Sequence, residues 1–185
     1  MDYRIPEFSG DRHQVSRRAR AKQHARGFEG IFETLVEEHT EAAMMLDVLC
    51  RTTDAKQRAA LWPKLRRALL SHDQDEVRIL CPDLHELVET RRLAQRHDVE
   101  ARDLESMIRR LDGRAFDHPE WLASALTLRQ LVVRHIREEE NELFPTAQRA
   151  LGAARAAELK EAYCRTKAKG GSRSTLASGL LGGTQ

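Results

Sequence analysis

A short motif occurs twice in the sequence and restricts the fold more than any other feature. The segments HDQDEVRILCP and HIREEENELFP both follow the pattern His-x3-Glu-x5-Pro. A four-residue spacing places His72 and Glu76 on one face of an α-helix, and His135 and Glu139 on one face of another. Apolar residues at helical spacing flank both pairs. We therefore expect each pair to point into the interior of a helical bundle and not toward solvent.

Apolar residues recur at helical spacing through most of the chain, and no segment shows the alternation of a β-strand. The pattern predicts four long helices and a shorter fifth, at about 28–51, 54–80, 84–111, 119–144 and 153–167. Pro63 lies within the second of these, and it either kinks that helix or marks its true start. Long amphipathic helices with short connections predict an all-α fold, an antiparallel up-and-down four-helix bundle with an additional short C-terminal helix.

The first and third predicted helices each carry one histidine on their apolar face, His39 and His97. The residue one turn after each is an alanine, Ala43 or Ala101, which leaves space beside the imidazole ring. Each of the four long helices therefore directs one histidine toward the interior of the bundle. Two of the helices also direct a carboxylate there.

Burying these groups together has a physical cost that points to bound metal. An isolated buried carboxylate is costly, and two facing carboxylates repel each other or take up protons. Cations held between four imidazoles and two carboxylates remove this cost, and the carboxylates can bridge a pair of metal ions. Nitrogen and oxygen ligands without thiolate suit iron or manganese, and suit zinc less well. One inward histidine or one His-x3-Glu pair would be ordinary, so the prediction rests on the complete set.

Charge is unevenly distributed along the chain, although the formal net charge is only +2. Residues 1–27 carry seven Lys/Arg and three Asp/Glu, and residues 151–185 carry six and two, whereas the segment between them is acidic. We therefore expect a basic N-terminal arm over 1–27, the bundle over 28–168 and a flexible Gly/Ser-rich tail over 169–185.

Composition excludes several other classes of protein. The basic arm is either a helical lead-in or a segment that contacts an acidic surface. It has no recognisable DNA-binding motif, so nucleic acid is not an expected partner, and the sequence does not identify a protein partner. No apolar run approaches the roughly 18 residues of a membrane span, and the N-terminus lacks a signal-peptide core, so a cytoplasmic location is expected. Cys50, Cys81 and Cys164 form no CxxC motif, so neither a disulfide scaffold nor a thiolate zinc site is indicated.

The type, order and spacing of six residues resemble the hemerythrin-like HHE cation-binding domain over about residues 28–165: His39, His72, Glu76, His97, His135 and Glu139. The similar helix ends at 79–82 and 142–145 add to the resemblance. The resemblance implies a four-helix bundle with two iron ions in a non-haem di-iron centre. It also implies four histidines as terminal ligands and two glutamates as bridging ligands, with an oxo or hydroxo bridge from solvent completing the centre.

The chain also departs from the oxygen-carrying hemerythrins. Those proteins have a second histidine one turn after the third-helix histidine, where this chain has Ala101. They have an aspartate five residues after the last histidine, where this chain has Glu140, although Glu139 fits the HHE pattern better. One histidine fewer would leave an open or water-filled position on one iron, which favours reactivity or sensing over oxygen storage. We interpret Glu138, Glu140 and Asp75 as the solvated flank of the helices, with a role as substitute ligands or as groups behind the ligands as the alternative.

The remaining candidates receive no role in the site. We interpret four further histidines as non-ligands: His13, His24, His85 and His118. Trp121 and Tyr163 are interpreted as packing residues and the cysteines as small core or surface residues.

Three functions are compatible with the sequence. The first is a di-iron protein that binds or reacts with oxygen, peroxide or nitric oxide in stress response or iron handling. The second is a non-enzymatic metal or redox sensor that acts through a partner. The third is a structural metal-binding protein, and whether the protein is an enzyme stays open.

Overall fold

The computed structural model describes residues 27–179, with side chains up to residue 168. Almost all of the predicted basic arm, with His13 and His24, therefore lies outside the described residues, as does the end of the predicted tail at 180–185. Within the described part the chain forms helices joined by short turns, and that part contains no strand. The predicted all-α fold is confirmed.

The helices are α1 (Ile31–Arg51), α2 (Ala55–Ile79), α3 (Cys81–Glu86), α4 (Arg91–Asp112), α5 (Trp121–Glu138) and α6 (Phe144–Gly179). A single π-helical turn, Glu139–Leu143, joins α5 to α6. Helix α1 contacts α2 and α5, and α4 contacts the same two helices, so four long helices enclose a common interior. Helix α6 packs across α1 and α2.

Helix α2 begins where the sequence indicates. Oδ1 of Asp54 accepts a hydrogen bond from the backbone N–H of Lys56 at 2.7 Å and so caps the helix. The helix continues through the exposed Pro63 to Ile79. Pro63 therefore lies inside α2 and does not mark its start.

The prediction of one helix over 84–111 is wrong at its N-terminal end. Helix α3 ends before Leu87, which is extended at φ −84° and ψ 130°, and α4 begins only at Arg91. The buried hydroxyl of Thr90 donates to the carbonyl of Leu84 at 2.7 Å, which stabilises the intervening turn. The sequence does not indicate this break, because the fully buried Leu84 continues the apolar pattern of the following helix.

The C-terminal helices also differ from the prediction of a fourth helix ending at 144 and a separate fifth over 153–167. The chain passes from α5 through the π-helical turn directly into α6, with Pro145 in the first turn of α6, where a proline is tolerated. Gly152, at φ 75° and ψ 166°, breaks α6 close to the predicted start of the short helix. Helix α6 then extends to Gly179, well beyond the predicted end.

Two apolar clusters fill the bundle. One includes Phe144 and Tyr163, and the other includes Trp121. Helix α1 contributes Leu35 to the first cluster and Leu46 to the second, so the intervening turns of α1 lie between the two clusters. Tyr163 and Trp121 are both fully buried in these clusters.

Candidate metal centre

The structure brings all six predicted site residues together in the interior of the bundle. They come from five elements, with His39 on α1, His72 and Glu76 on α2, His97 on α4, His135 on α5 and Glu139 on the π-helical turn. Five of the six are at most 4% exposed, and the side chain of His72 is 12% exposed. So many buried polar groups require compensating partners.

The π-helical turn places two consecutive glutamates inside the bundle. Both Glu139 and Glu140 are nearly fully buried on this turn, although neighbouring residues of a helix differ in direction by roughly 100°. Glu140 is therefore not on a solvated flank, and that interpretation of its side chain is wrong.

One group of potential ligands comprises His39, His72, Glu76 and Glu139, with one ligand atom from each within 4.8 Å of the others. Nε2 of His39 lies 3.1 Å from Nε2 of His72 and 3.0 Å from Oε2 of Glu139. Nε2 of His72 lies 3.4 Å from Oε2 of Glu76. Two imidazole nitrogens and two carboxylates thus surround one position, which we call the first half of the centre.

A second group comprises Glu76, His97, His135 and Glu139, and forms the second half of the centre. Nε2 of His97 lies 3.0 Å from Oε1 of Glu139 and 3.4 Å from Oε2 of Glu76. Nε2 of His135 lies 3.3 Å from Oε1 of Glu139. The two halves share both glutamates, and Glu139 presents Oε2 to His39 and Oε1 to His97 and His135.

Several of these atoms are buried without a hydrogen bond among the described residues. They are Oε1 of Glu76, both carboxylate oxygens of Glu139 and Nε2 of His135. The oxygens of Glu139 lie close to ring nitrogens, but in geometry unsuited to a hydrogen bond. An unpaired buried polar atom is costly, and a carboxylate costs more than a neutral group. The donor set therefore fits metal ions held between the histidines and the two shared glutamates.

The electrostatics of the site favour positive charge at the histidine positions. Burial disfavours the charged form of His39, but the carboxylates of Glu139 and Glu140 outweigh it and raise its pKa to about 10. The pKa of His97 is raised in the same way against burial, by Cys81 and by the glutamates beside it. Burial alone would raise the pKa of Glu139, but His135 and His39 hold it well below its usual value.

Three of the four histidines have a carboxylate at their outer nitrogen. Nδ1 of His39 lies 3.2 Å from Oε1 of Glu140, and Nδ1 of His135 lies 3.1 Å from Oε2 of Glu100. Nδ1 of His72 is 2.9 Å from Oε2 of Glu38. An ionised carboxylate can only accept, so each Nδ1 donates its proton, and in the neutral ring Nε2 would then offer its lone pair to a metal ion in the centre. Metal-binding histidines are oriented in this way.

The carboxylate of Glu38 is itself held by helix α6. Its Oε2 accepts hydrogen bonds from the hydroxyl of Tyr163 at 2.8 Å and from Nζ of Lys167 at 3.1 Å. Burial alone would raise the pKa of Glu38, but His72, Lys167 and Tyr163 lower it to about 2. The contact links the first half of the centre to the C-terminal helix.

The fourth histidine has a different outer partner. Sγ of the buried Cys81 lies 3.6 Å from Nδ1 of His97. Burial raises the pKa of this thiol, so the partner of His97 is a neutral and weakly hydrogen-bonding group. Cys81 is a core residue, as the sequence suggests, and it also contacts a predicted metal ligand.

Sequence reasoning therefore missed three outer partners: Glu38, Glu100 and Cys81. Glu38 is adjacent to His39 in the sequence but contacts His72 on another helix, and Glu100 contacts His135 across the bundle. Periodicity within one helix carries no signal for such contacts. Asp75 and Glu138, by contrast, are partly exposed and form ion pairs with Lys167 and Arg96.

The two described histidines interpreted as non-ligands lie apart from the centre. His85 pairs with Asp98 at 3.1 Å and is partly exposed. Nδ1 of the exposed His118 accepts a hydrogen bond from the backbone N–H of Glu120. Neither belongs to a metal-ligand group found among the described residues.

A family model for the hemerythrin HHE cation-binding domain matches residues 30–147, which is more than half of the chain. The chain belongs to this family. The matched segment runs from α1 into the first turn of α6 and contains all six site residues. Comparison with curated proteins and with solved structures gave no significant match. The HHE domain is a cation-binding domain, and its two histidine and glutamate groups are positions that can hold metal ions.

Residues 27–179 include no helix with the length and apolar character needed to cross a membrane.

Proposed function

We propose that this HHE domain is a cytoplasmic non-haem di-iron protein that binds or reacts with oxygen, peroxide or nitric oxide in stress response or iron handling. The observation that carries the proposal is that two ligand groups share Glu76 and Glu139, with two histidines on either side. This arrangement fits two metal ions bridged by carboxylates better than it fits one ion.

The ligand chemistry supports iron as the metal. Each half offers two imidazole nitrogens and two carboxylates, and neither half contains a thiolate. Nitrogen and oxygen donors suit iron and manganese, while structural zinc sites usually have four ligands of their own and include cysteine. The outer carboxylates Glu38, Glu100 and Glu140 orient three of the four imidazoles and increase their basicity.

Two iron ions would supply a change of oxidation state and a coordination position for a small ligand. The residues of the chain would hold the ions, orient the imidazoles and restrict solvent through the apolar walls of the bundle. Ala101, one turn after His97, is buried and carries no donor atom. The lack of a donor atom at this position supports an open coordination position on the metal in the second half. An open position favours reactivity over stable oxygen storage.

A sensor is the second candidate, and a specific contact favours it. Glu38 connects His72 to Tyr163 and Lys167 on α6. A change of metal occupancy or oxidation state that moved His72 would act directly on this helix, which leads into the basic C-terminal segment. In this case a partner, and not a chemical turnover, would receive the signal.

Aerobic loading with iron tests the proposal. We expect two iron atoms per chain and a ligand-to-metal charge-transfer absorption band. Glu76→Ala should abolish metal binding, while the control His118→Ala, which removes an exposed imidazole, should not. One zinc per chain with a featureless spectrum would contradict both candidates and indicate a structural metal site. Turnover of peroxide or nitric oxide would favour the di-iron enzyme over the sensor.

A further inference from the structure

A cavity of about 190 Å³ lies in the bundle beside the metal centre. His39 and His72 of the first half and His135 of the second half line one side of it. Glu76, Glu139 and His97 do not line it. Because the two shared glutamates lie outside its lining, the cavity is a space next to the proposed ions and not the space between the ligands.

The remaining walls of the cavity are mainly apolar. Leu69, Leu104, Ile108 and Val132 line it, and all four are buried members of the apolar cluster around Trp121. An apolar cavity of about 150 Å³ in a protein core binds benzene or xenon and stays dry. A space of this size exceeds what oxygen, peroxide or nitric oxide requires, since one water molecule takes up about 30 Å³ in the liquid.

Two side chains in the lining have a buried polar atom without a hydrogen-bond partner among the described residues. One is His135, whose Nε2 is assigned to the metal centre, and the other is Asp73, through its Oδ1. Asp73 follows His72 directly in the sequence and lies near the histidines of the centre. A buried carboxylate oxygen without a donor is costly, and a ligand that offers a hydrogen-bond donor would satisfy it.

The cavity is partly open, with charged residues among its lining. Glu41 is exposed and Lys167 partly exposed, and both line the cavity. A small molecule can therefore enter without unfolding of the bundle. Apolar walls, an unsatisfied acceptor outside the proposed metal ligands and partial access are the general features of a small-molecule site.

We propose that this cavity binds a small apolar organic molecule of about six to eight heavy atoms that carries one hydroxyl or similar hydrogen-bond donor. The apolar body lies against Leu104, Ile108 and Val132, and the donor faces Asp73. The position of this ligand beside a metal centre rests on the function proposed above. The proposed ligand is thus an organic molecule, and it would bind in addition to oxygen, peroxide or nitric oxide.

Phenol and toluene are matched probes, because they have the same size and differ in one hydrogen-bond donor. We expect both to bind saturably to the iron-loaded protein in ligand-observed NMR titrations, with phenol at least about tenfold tighter. In Asp73→Ala the advantage of phenol should disappear, while toluene should bind as before or more tightly. Saturable binding of neither probe would overturn the proposal. An advantage of phenol that persists in Asp73→Ala would overturn the orientation.

Filling the cavity provides a second test. Ala42 lines the cavity. We expect Ala42→Phe to abolish binding of both probes and the control Ala60→Phe, at an exposed position of α2 outside the lining, to retain it. If Ala42→Phe does not fold, Ala68→Phe fills the same cavity from α2. Unchanged binding of the probes in a folded cavity-filling variant would contradict the assignment.

Metal content and absorption spectra of each sample separate this proposal from the function on which it rests. Probe binding by protein that takes up no iron would support the cavity and contradict the di-iron function. A full complement of iron without probe binding would support the di-iron function and contradict the proposed cavity ligand. A new phenolate-to-iron absorption band would show phenol on the metal itself and would overturn its placement in the cavity.

Discussion

The two halves of the centre have the same inner donors and different surroundings. Each half has two imidazoles, and both share Glu76 and Glu139. In the first half the outer nitrogens of both histidines meet carboxylates, Glu140 at His39 and Glu38 at His72. In the second half His135 meets Glu100, but His97 meets the thiol of Cys81.

This difference shows that the inner ligands do not alone determine the strength of a metal site. A carboxylate at Nδ1 increases the basicity of the imidazole and fixes its orientation, whereas the thiol of Cys81 is neutral and forms a weaker hydrogen bond with its histidine. The first half is also linked to α6, through the hydrogen bond between Glu38 and Tyr163. We therefore expect the first half to hold its metal ion more tightly than the second, and the following variants test this comparison.

The largest effect is expected for Glu139→Ala, because Glu139 is shared by both halves. The variant should lose both metal ions, measured by metal analysis after loading with iron and desalting. Glu142→Ala is a suitable control, since Glu142 is on the same π-helical turn but largely exposed. Retention of a full metal complement by Glu139→Ala would contradict its role as a shared ligand.

Single histidine variants should remove one ion and not two. His97→Ala takes a donor only from the second half, so the first half retains its ligands. We expect the metal content to fall from two ions to about one per chain. Loss of both ions would show that the halves are not separable.

The outer carboxylates should affect affinity and not stoichiometry. Glu38→Gln removes the charge behind His72. It should weaken one of the two metal-binding steps about 10- to 100-fold in a calorimetric titration with Fe²⁺ under anaerobic conditions. Glu89→Gln, at an exposed position, should leave both steps unchanged. Equal weakening of both steps would argue against two distinct halves.

A smaller effect is expected at the thiol. Cys81→Ser keeps a hydrogen-bonding group beside His97, so the second binding step should weaken less than tenfold in the same titration. An effect as large as that of Glu38→Gln would mean that Cys81 supports its histidine as strongly as a carboxylate does. The comparison between the halves would then fail.

The smallest effect is expected for Tyr163→Phe, which removes one of the hydrogen bonds to Glu38. The free energy of unfolding in urea should fall by about 1 kcal/mol, with both metal ions retained. Loss of the first-half ion in this variant would show that Glu38 depends on Tyr163 for its position.

Much of this centre follows from sequence periodicity, because the information is local to each helix. His72 with Glu76 and His135 with Glu139 are one turn apart, and the apolar residues around them indicate an inward face. His39 and His97 are identified in the same way. The all-α fold and the family follow from the same pattern.

The surroundings of the centre do not follow from that pattern. Glu140 is buried on a π-helical turn, which α-helical periodicity does not predict. Glu38 and Cys81 meet histidines on other helices, and the break between α3 and α4 depends on the hydrogen bond of Thr90. Each of these features depends on packing between elements, so the periodicity of a single helix does not predict it.

The central claim is that Glu76 and Glu139 hold two metal ions between them. Anomalous diffraction at the iron absorption edge, from crystals of the iron-loaded protein, tests it most directly. We predict two peaks beside the shared carboxylates, one near Nε2 of His39 and His72 and the other near Nε2 of His97 and His135. A single peak, or peaks away from the two glutamates, would contradict the account.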